Sequence, residues 1–421
     1  MEDLLFVLFV ALILWGMPRI GFIRRSGLSV SEARVLLGIK IITGVLFALS
    51  FKYFSPNIDY IHINEEGIGH YRLLINEPRN FFKDVSIDMQ QYGIGGLFET
   101  KNSFWAYIRF TLMYKVMAVV NLLTRGDFIF NTALFSSLVF FGHMAFFRVF
   151  YAMYPSRRWL IIFTCFFLPS VLIYTACIHK DGIIFLCLGL LSYLFSRLLH
   201  RTISGRWQYL AITIFCLLGI FVFRNYVLVA LLPALLVAIV CVFTHWDRRL
   251  VLGGCYLLFT GGFFFTGLVQ SSFNLPAAVV QRKADFAALE TGTTTIQMNN
   301  LHPTITSFAK NLPQALNHVL LRPYPWEFSQ PSVILTALEL LLYQLIFILF
   351  ILYRKKGNLP VHPFNIFGIA FFINMVLIIG YTIPNIGAIV RYRSIFWVFI
   401  LCPLLCNIDW KRLSLSRSVK K

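Results

Sequence analysis

The sequence predicts an all-α polytopic membrane protein with about 11 transmembrane helices, two long extracytoplasmic loops and one interfacial helix, and three observations carry this. Hydrophobic residues make up 58% of the 421 positions and charged residues only 13%, with a mean hydropathy of +0.74, more apolar surface than a water-soluble fold covers. The apolar residues come in runs near the roughly 20 that a helix needs to cross a hydrocarbon core, without the alternation of barrel strands. The basic residues between those runs fall mostly on one side, as the positive-inside rule requires of the cytoplasm.

Along the chain, spans are expected near 4–20, 36–54, 128–147, 159–176, 182–199, 207–222, 227–245, 250–268, 332–353, 363–382 and 390–407. The opening Met-Glu-Asp runs straight into an apolar stretch, without the basic start and small-residue cleavage site of a signal peptide. The first helix is therefore expected to stay in the membrane, N terminus outside. Segment 105–124 is apolar enough for a twelfth span but carries Arg109, Lys115 and Asn121. If it does not cross, Arg19, Arg24, Arg25 and Arg34 share a side with Arg157, Arg158, Arg197, Arg201, Arg206, Arg248, Arg249, Arg354 to Lys356 and the basic C-terminal tail. If it crosses, every later cluster lies opposite the first. The segment is thus read as a helix at the outer interface, with Trp105, Ile108, Leu112, Val116 and Val119 toward lipid or protein. Within one membrane domain, 1–421, the long loops 55–127 and 269–331 then face outward, and the C terminus is cytoplasmic.

The same topology explains the net charge of +19. Nearly all the excess sits on the cytoplasmic side, so a nucleic-acid partner is unnecessary. The eight cysteines lie in or beside apolar runs and read as small core residues, with no disulfide framework and no CxxC spacing. No Walker A, HExxH or EF-hand pattern is present, and Gly93-Ile94-Gly95-Gly96 is a Gly-rich turn without a preceding strand. No internal repeat or low-complexity linker divides the chain. Chemistry is expected in the outer loops, where there is no ATP and a substrate has to arrive activated, as lipid-linked sugars do.

The first loop opens with Asn57, Asp59, Tyr60, His62, Glu65, Glu66, His70 and Tyr71. A carboxylate there is placed to act as general base on an acceptor hydroxyl, or to hold a divalent cation that bridges phosphates. An aqueous loop also carries acids for solvation, and Asp59 stands out as the one nearest the bilayer. The chain breaks between spans at Pro169-Ser170 and at His179-Lys180-Asp181-Gly182, on the side where basic residues are unusual. Lys180 suits a phosphate and Asp181 acid/base work, or Asp181 favours the dipole of the next helix. Further outer basic sites are Arg224, Arg282 with Lys283, and Arg391 with Arg393, either snorkelling cations or a converging set for a diphosphate. The stretch Arg322-Pro323-Tyr324-Pro325-Trp326-Glu327 sets aromatic faces beside a carboxylate, suited to a sugar ring or to an interfacial belt. Glu339, about 10 Å into the next span, is the one ionisable group read as clearly deep.

This layout resembles the polytopic membrane glycosyltransferases of the GT-C type, and the bacterial O-antigen and exopolysaccharide polymerases. The likeness rests on an acidic first outer loop with an interfacial helix, the Pro-Ser…Lys-Asp break, an outer Arg-Pro-x-x-Trp-Glu and a late Arg-Tyr-Arg. It implies transfer or polymerisation of glycosyl units from a polyprenyl-phosphate-linked sugar at the outer face of a bacterial inner membrane, alongside polysaccharide-assembly proteins. Asp59 or Asp181 would be catalytic, Lys180, Arg224, Arg282, Arg391 and Arg393 would bind phosphate, and Trp326 and Glu327 the sugar. No resident cofactor is implied beyond the divalent cation that the carboxylates allow. The alternative is a transporter or flippase for a lipid-linked oligosaccharide or another amphiphilic anion.

Overall fold

A computed structural model describes residues 2–54, 59–87, 104–200, 206–244, 246–269, 274–288, 294–327, 331–355 and 362–413. The Gly93–Gly96 turn, Asn57, Arg201, Lys356 and the basic tail lie outside them. The described chain is helical, with two isolated bridges, Thr295 with Asn385 and Arg354 with Ile408. The helices are α1 Glu2–Gly16, α2 Val30–Phe54, α3 Asp59–Asn76, α4 Pro78–Ile87, α5 Phe104–Thr124, α6 Phe128–Met153, α7 Arg158–Phe166, α8 Pro169–Tyr174 and α9 Lys180–Leu199. They continue with α10 Arg206–Phe243, α11 Arg248–Val269, α12 Leu275–Ala287, α13 Ile305–Leu320, α14 Pro331–Tyr353, α15 Pro363–Thr382, α16 Ile386–Arg393 and α17 Val398–Cys406.

Seven of these are long and apolar enough to cross a membrane, and α16 with α17, bent by 58°, makes an eighth if the pair is one span. The departures from the expected runs have local causes. Helix α1 has 15 residues, about 22 Å, and passes into a tight turn at Met17–Arg19 around Pro18. The run 159–176 divides into α7 and α8 because Leu168, ahead of Pro169, is pushed into the extended region (φ −66°, ψ 120°). The runs 207–222 and 227–245 lie in the 38-residue α10, whose Arg224 is non-helical (φ −152°, ψ 69°). The helical segments on either side of Arg224 are each roughly 27 Å long, near the thickness of a hydrocarbon core.

The chain forms two compact units, residues 1–155 with 165–225, and residues 156–164 with 226–421. In the first, α6 packs against α2 and α9. Glycines permit the closest approach: a Cβ on Gly189 would lie 2.5 Å from the Gly142 carbonyl oxygen. Helices α3 and α5 pack against each other, and Leu112, Val116, Val119 and Leu123 make an exposed apolar stripe along α5. Its polar residues turn inward instead. The Asn131 side-chain amide donates to Asn64 Oδ1 and Asn121 Oδ1, both at 2.7 Å, which ties α3, α5 and α6 together. Lys115 donates to the Phe81 carbonyl.

In the second unit α13 lies so close to α15 that a Cβ on Gly380 would collide with the Ala315 carbonyl. Phe367, Phe371 and Phe399 fill the core between α15 and α17. Tyr256 of α11 sets its hydroxyl 2.8 Å from the Ala370 carbonyl, and Asn374 donates to Ala230 at 2.9 Å.

Candidate functional site

The first unit gathers a charged cluster at the start of α9. His179 is the N-cap residue, extended at φ −156° and ψ 155°, and Lys180 and Asp181 form the first turn. Gly182 follows because α6 presses on it: a Cβ there would lie 2.7 Å from the Phe135 ring. The Asp181 carboxylate is fully buried, 2.6 Å from Arg224 Nη2 and 2.9 Å from His179 Nδ1. A charged carboxylate is tolerated there because it has a cationic partner and sits at a helix N terminus. Arg224 reaches it from the non-helical point of α10.

The other ring nitrogen of His179, Nε2, lies 3.9 Å from the Asp59 carboxylate, whose side chain is 69% exposed at the start of α3. Tyr60 steadies this arrangement, stacked on Phe51 at 4.8 Å and tilted against the His179 ring at 5.1 Å. Lys180 is largely buried, its ammonium 3.6 Å from the centre of the Phe110 ring. Arg109, Arg224, Asp59 and Asp181 are the charges that act on it. Beside them, burial together with Glu66 and Asp59 pushes the Tyr114 hydroxyl up to about 12, so it stays protonated and able to donate.

Chemically this is a graded site. Asp59 forms the open rim, and the imidazole stands between it and a buried carboxylate able to fix its tautomer. Lys180, Arg109 and Arg224 set positive charge beside it, suited to an anion. Among the described residues no group of three or more His, Cys, Asp or Glu gathers to hold a metal ion.

Of the residues singled out by sequence, Asp59, Lys180, Asp181 and Arg224 meet here, while His179 and Arg109 join them without having been assigned a role. His179 carried a signal in its place in the His-Lys-Asp-Gly break, and Arg109 in being a cation on an otherwise apolar face.

In the second unit the residues singled out by sequence serve several purposes. Arg393 is buried and donates from Nη1 to the carbonyls of Val319 (3.1 Å) and Arg322 (2.8 Å), closing the end of α13. Arg322 pairs with Glu327 at 2.5 Å, and Tyr324 donates to Asn317 at 2.7 Å. On this base the Tyr324 and Trp326 rings stack at 5.2 Å and 4°, leaving Trp326 81% exposed. Arg282 lies over its neighbour Phe286, and Arg391 over Tyr392. Glu339 is buried in α14, bonded to Tyr343 one turn on.

Glu339 is not the only deep ionisable group. Lys40 in α2 and His143 in α6, each inside a run read from the sequence as a span, are also buried. Comparison of the chain with protein-family models, with curated proteins and with solved structures gives no match.

Proposed function

We propose that the protein transfers or polymerises glycosyl units from a polyprenyl-phosphate-linked donor, at the outer face of a bacterial inner membrane, in cell-surface polysaccharide assembly. One observation carries this reading. Asp59, His179 to Asp181 and Arg224 lie together within a few ångströms in the first unit, and the eleven-span topology expected from the sequence, N terminus outside, would set them at the outer mouth. That topology treats the two segments of α10 as separate spans meeting at Arg224, and the non-helical conformation of Arg224 supports the division.

In the reaction, Asp59, or His179 held by Asp181, takes the proton of an acceptor hydroxyl. The acceptor oxygen bonds to the anomeric carbon as the bond from that carbon to the phosphate oxygen breaks. The lipid phosphate leaves with the electron pair, stabilised by Lys180, Arg109 and Arg224. Within the second unit, the open face of Trp326 beside the Glu327 carboxylate is a separate surface of the kind that stacks on a sugar ring and accepts from its hydroxyls.

The test is the lipid-linked and surface glycan profile of cells carrying wild-type protein, a deletion, Asp59→Ala or His179→Ala, with membrane levels matched. Accumulation of a short or single-unit lipid-linked glycan in the deletion and the variants is expected. A normal profile in the deletion would exclude the carbohydrate reading.

Transport of the same lipid-linked anion is the second reading, favoured by the buried Lys40 and His143, since ionisable groups inside spans often mark pathways. Cysteine labelling at Asp59 and Lys180 from both faces separates the two: an enzyme site is reached from outside alone.

A further inference from the structure

The backbone between α8 and α9 leaves the helix at Thr175 and re-enters it at Lys180, and this short stretch carries the His179 end of the charged cluster. Thr175, Ala176, Cys177 and Ile178 are all fully buried, and the Thr175 and Ala176 carbonyls accept from side chains. Non-helical backbone inside a membrane protein persists only where protein groups satisfy it.

Here those groups come from α2 and α6. Lys40 stands about ten residues, roughly 15 Å, into α2, and donates to the Thr175 carbonyl at 3.0 Å and the Thr175 hydroxyl at 2.8 Å. Ser136 donates to the next carbonyl, Ala176, at 2.5 Å. His143 spans the other end: its Nδ1 donates to the Cys165 carbonyl at 2.6 Å, at the close of α7, and its Nε2 lies 3.0 Å from the Thr175 hydroxyl. Gly44 keeps the approach open, because a Cβ there would lie 2.5 Å from Ser136 Oγ and 2.9 Å from the Ala176 carbonyl.

We propose that Lys40 is a positioning residue. Through Thr175 it fixes the height and orientation of the turn that presents His179 and Lys180, and it touches no substrate itself. The inference rests on the reading of that turn as part of an anion-binding site, but the brace itself is a property of the fold. Lys40 suits the task because its side-chain amine satisfies a carbonyl and a hydroxyl of one residue, at the end of a stem whose methylenes fit an apolar helix face.

The experiment is amide hydrogen exchange on the purified full-length protein in detergent, following peptides that cover residues 175–182, 136–150 and 185–198. Lys40→Met keeps the stem and removes the donors, and Thr175→Val removes the hydroxyl but keeps the carbonyl. Lys40→Met is expected to speed exchange in 175–182 on the order of tenfold, with little change in the other two peptides. Because Lys40→Met already removes the bond to the hydroxyl that Thr175→Val deletes, the double variant is expected to exchange more slowly than the product of the single effects requires. Unchanged exchange in 175–182, equal acceleration in all three peptides, or multiplicative single effects would overturn the brace.

Affinity for farnesyl phosphate, a short polyprenyl phosphate, is measured on the same samples. Lys40→Met is expected to weaken it several-fold, and undiminished affinity in a variant whose turn has loosened would refute the positioning role. Failure of the functional reading looks different: the wild-type protein then shows no affinity for the probe, while the exchange results stand.

Discussion

Removing Arg224 from its pair with Asp181 tests the electrostatic base of the cluster. At 2.6 Å the charges attract by roughly 6 kcal/mol at an effective dielectric of 20, before the desolvation of both groups is subtracted. Arg224→Met leaves a fully buried carboxylate beside His179 without its guanidinium, and breaking a buried pair in this way costs about 3–5 kcal/mol. Asp181→Asn strands the guanidinium and is also destabilising. The double variant removes both charges together and is expected to recover much of the loss, giving a coupling of at least about 2 kcal/mol. Unfolding of the purified protein in one fixed detergent, followed by intrinsic fluorescence across a denaturant series, measures all four forms. Additive single effects, or an Arg224→Met variant within about 0.5 kcal/mol of wild type, would show that the pair does not hold the turn to α10.

Other regions give independent checks. His318, in α13, is held down to about 4 by burial first, then by Arg322 and Lys283. Its unfolded state therefore binds more protons over the interval, so its contribution is fully present above the unfolded value near 6.5 and is lost as pH falls from there toward 4, by on the order of 1–3 kcal/mol. Unfolding midpoints measured between pH 7 and pH 4 should fall less steeply in His318→Gln, and equal slopes would reject the assignment. Gly189→Ala sets a methyl group against the Gly142 backbone and is expected to lower the midpoint by several degrees, whereas Gly253→Ala, with nothing within 4 Å, should not. Asn131→Ala removes the donor shared by Asn64 and Asn121 and is expected to cost about 2–3 kcal/mol in the same unfolding assay.

What the sequence made legible follows the range of the interactions involved. Uninterrupted apolar runs identify α2, α6, α9, α11, α14 and α15 because crossing a bilayer constrains every residue of the run. The division of 159–176 also has a local sign in Pro169. Pairings had no such sign. Asp181 and Arg224 lie on successive helices with most of α9 and half of α10 between them, and Lys40 bonds the carbonyl and hydroxyl of one residue 135 positions away, which leaves little trace in residue type. A lone Lys or His in an apolar run reads as a snorkelling or core residue until its partner is known. His179 was hidden differently, because its chemical setting depends on Asp59, which chain distance alone does not bring near.

The partners of the cations decide how far the basic residues can be counted as ligands for a phosphate. Lys40, Lys115, Arg148, Lys355 and Arg393 all donate to backbone carbonyls, several where a helix ends or breaks and the last carbonyls lack intrahelical donors. In a bilayer those carbonyls are costly to leave unmade, so a basic side chain inside the unit has structural work before it has a ligand. Arg393 then belongs with the fold of the second unit, while Lys180, set against Phe110 among charges of both signs, belongs with the site. Two substitutions separate these classes. Arg393→Met is expected to lower the unfolding midpoint and, in the protein that remains folded, to leave farnesyl phosphate affinity close to wild type. Lys180→Met is expected to weaken that affinity at least tenfold with a small change in midpoint, since it removes a buried charge whose main solvation is an aromatic face and its charged neighbours. The reverse pattern, with affinity lost in the folded Arg393 variant and kept in the Lys180 variant, would move the anion site to the second unit and leave the cluster at the start of α9 as a structural ion pair.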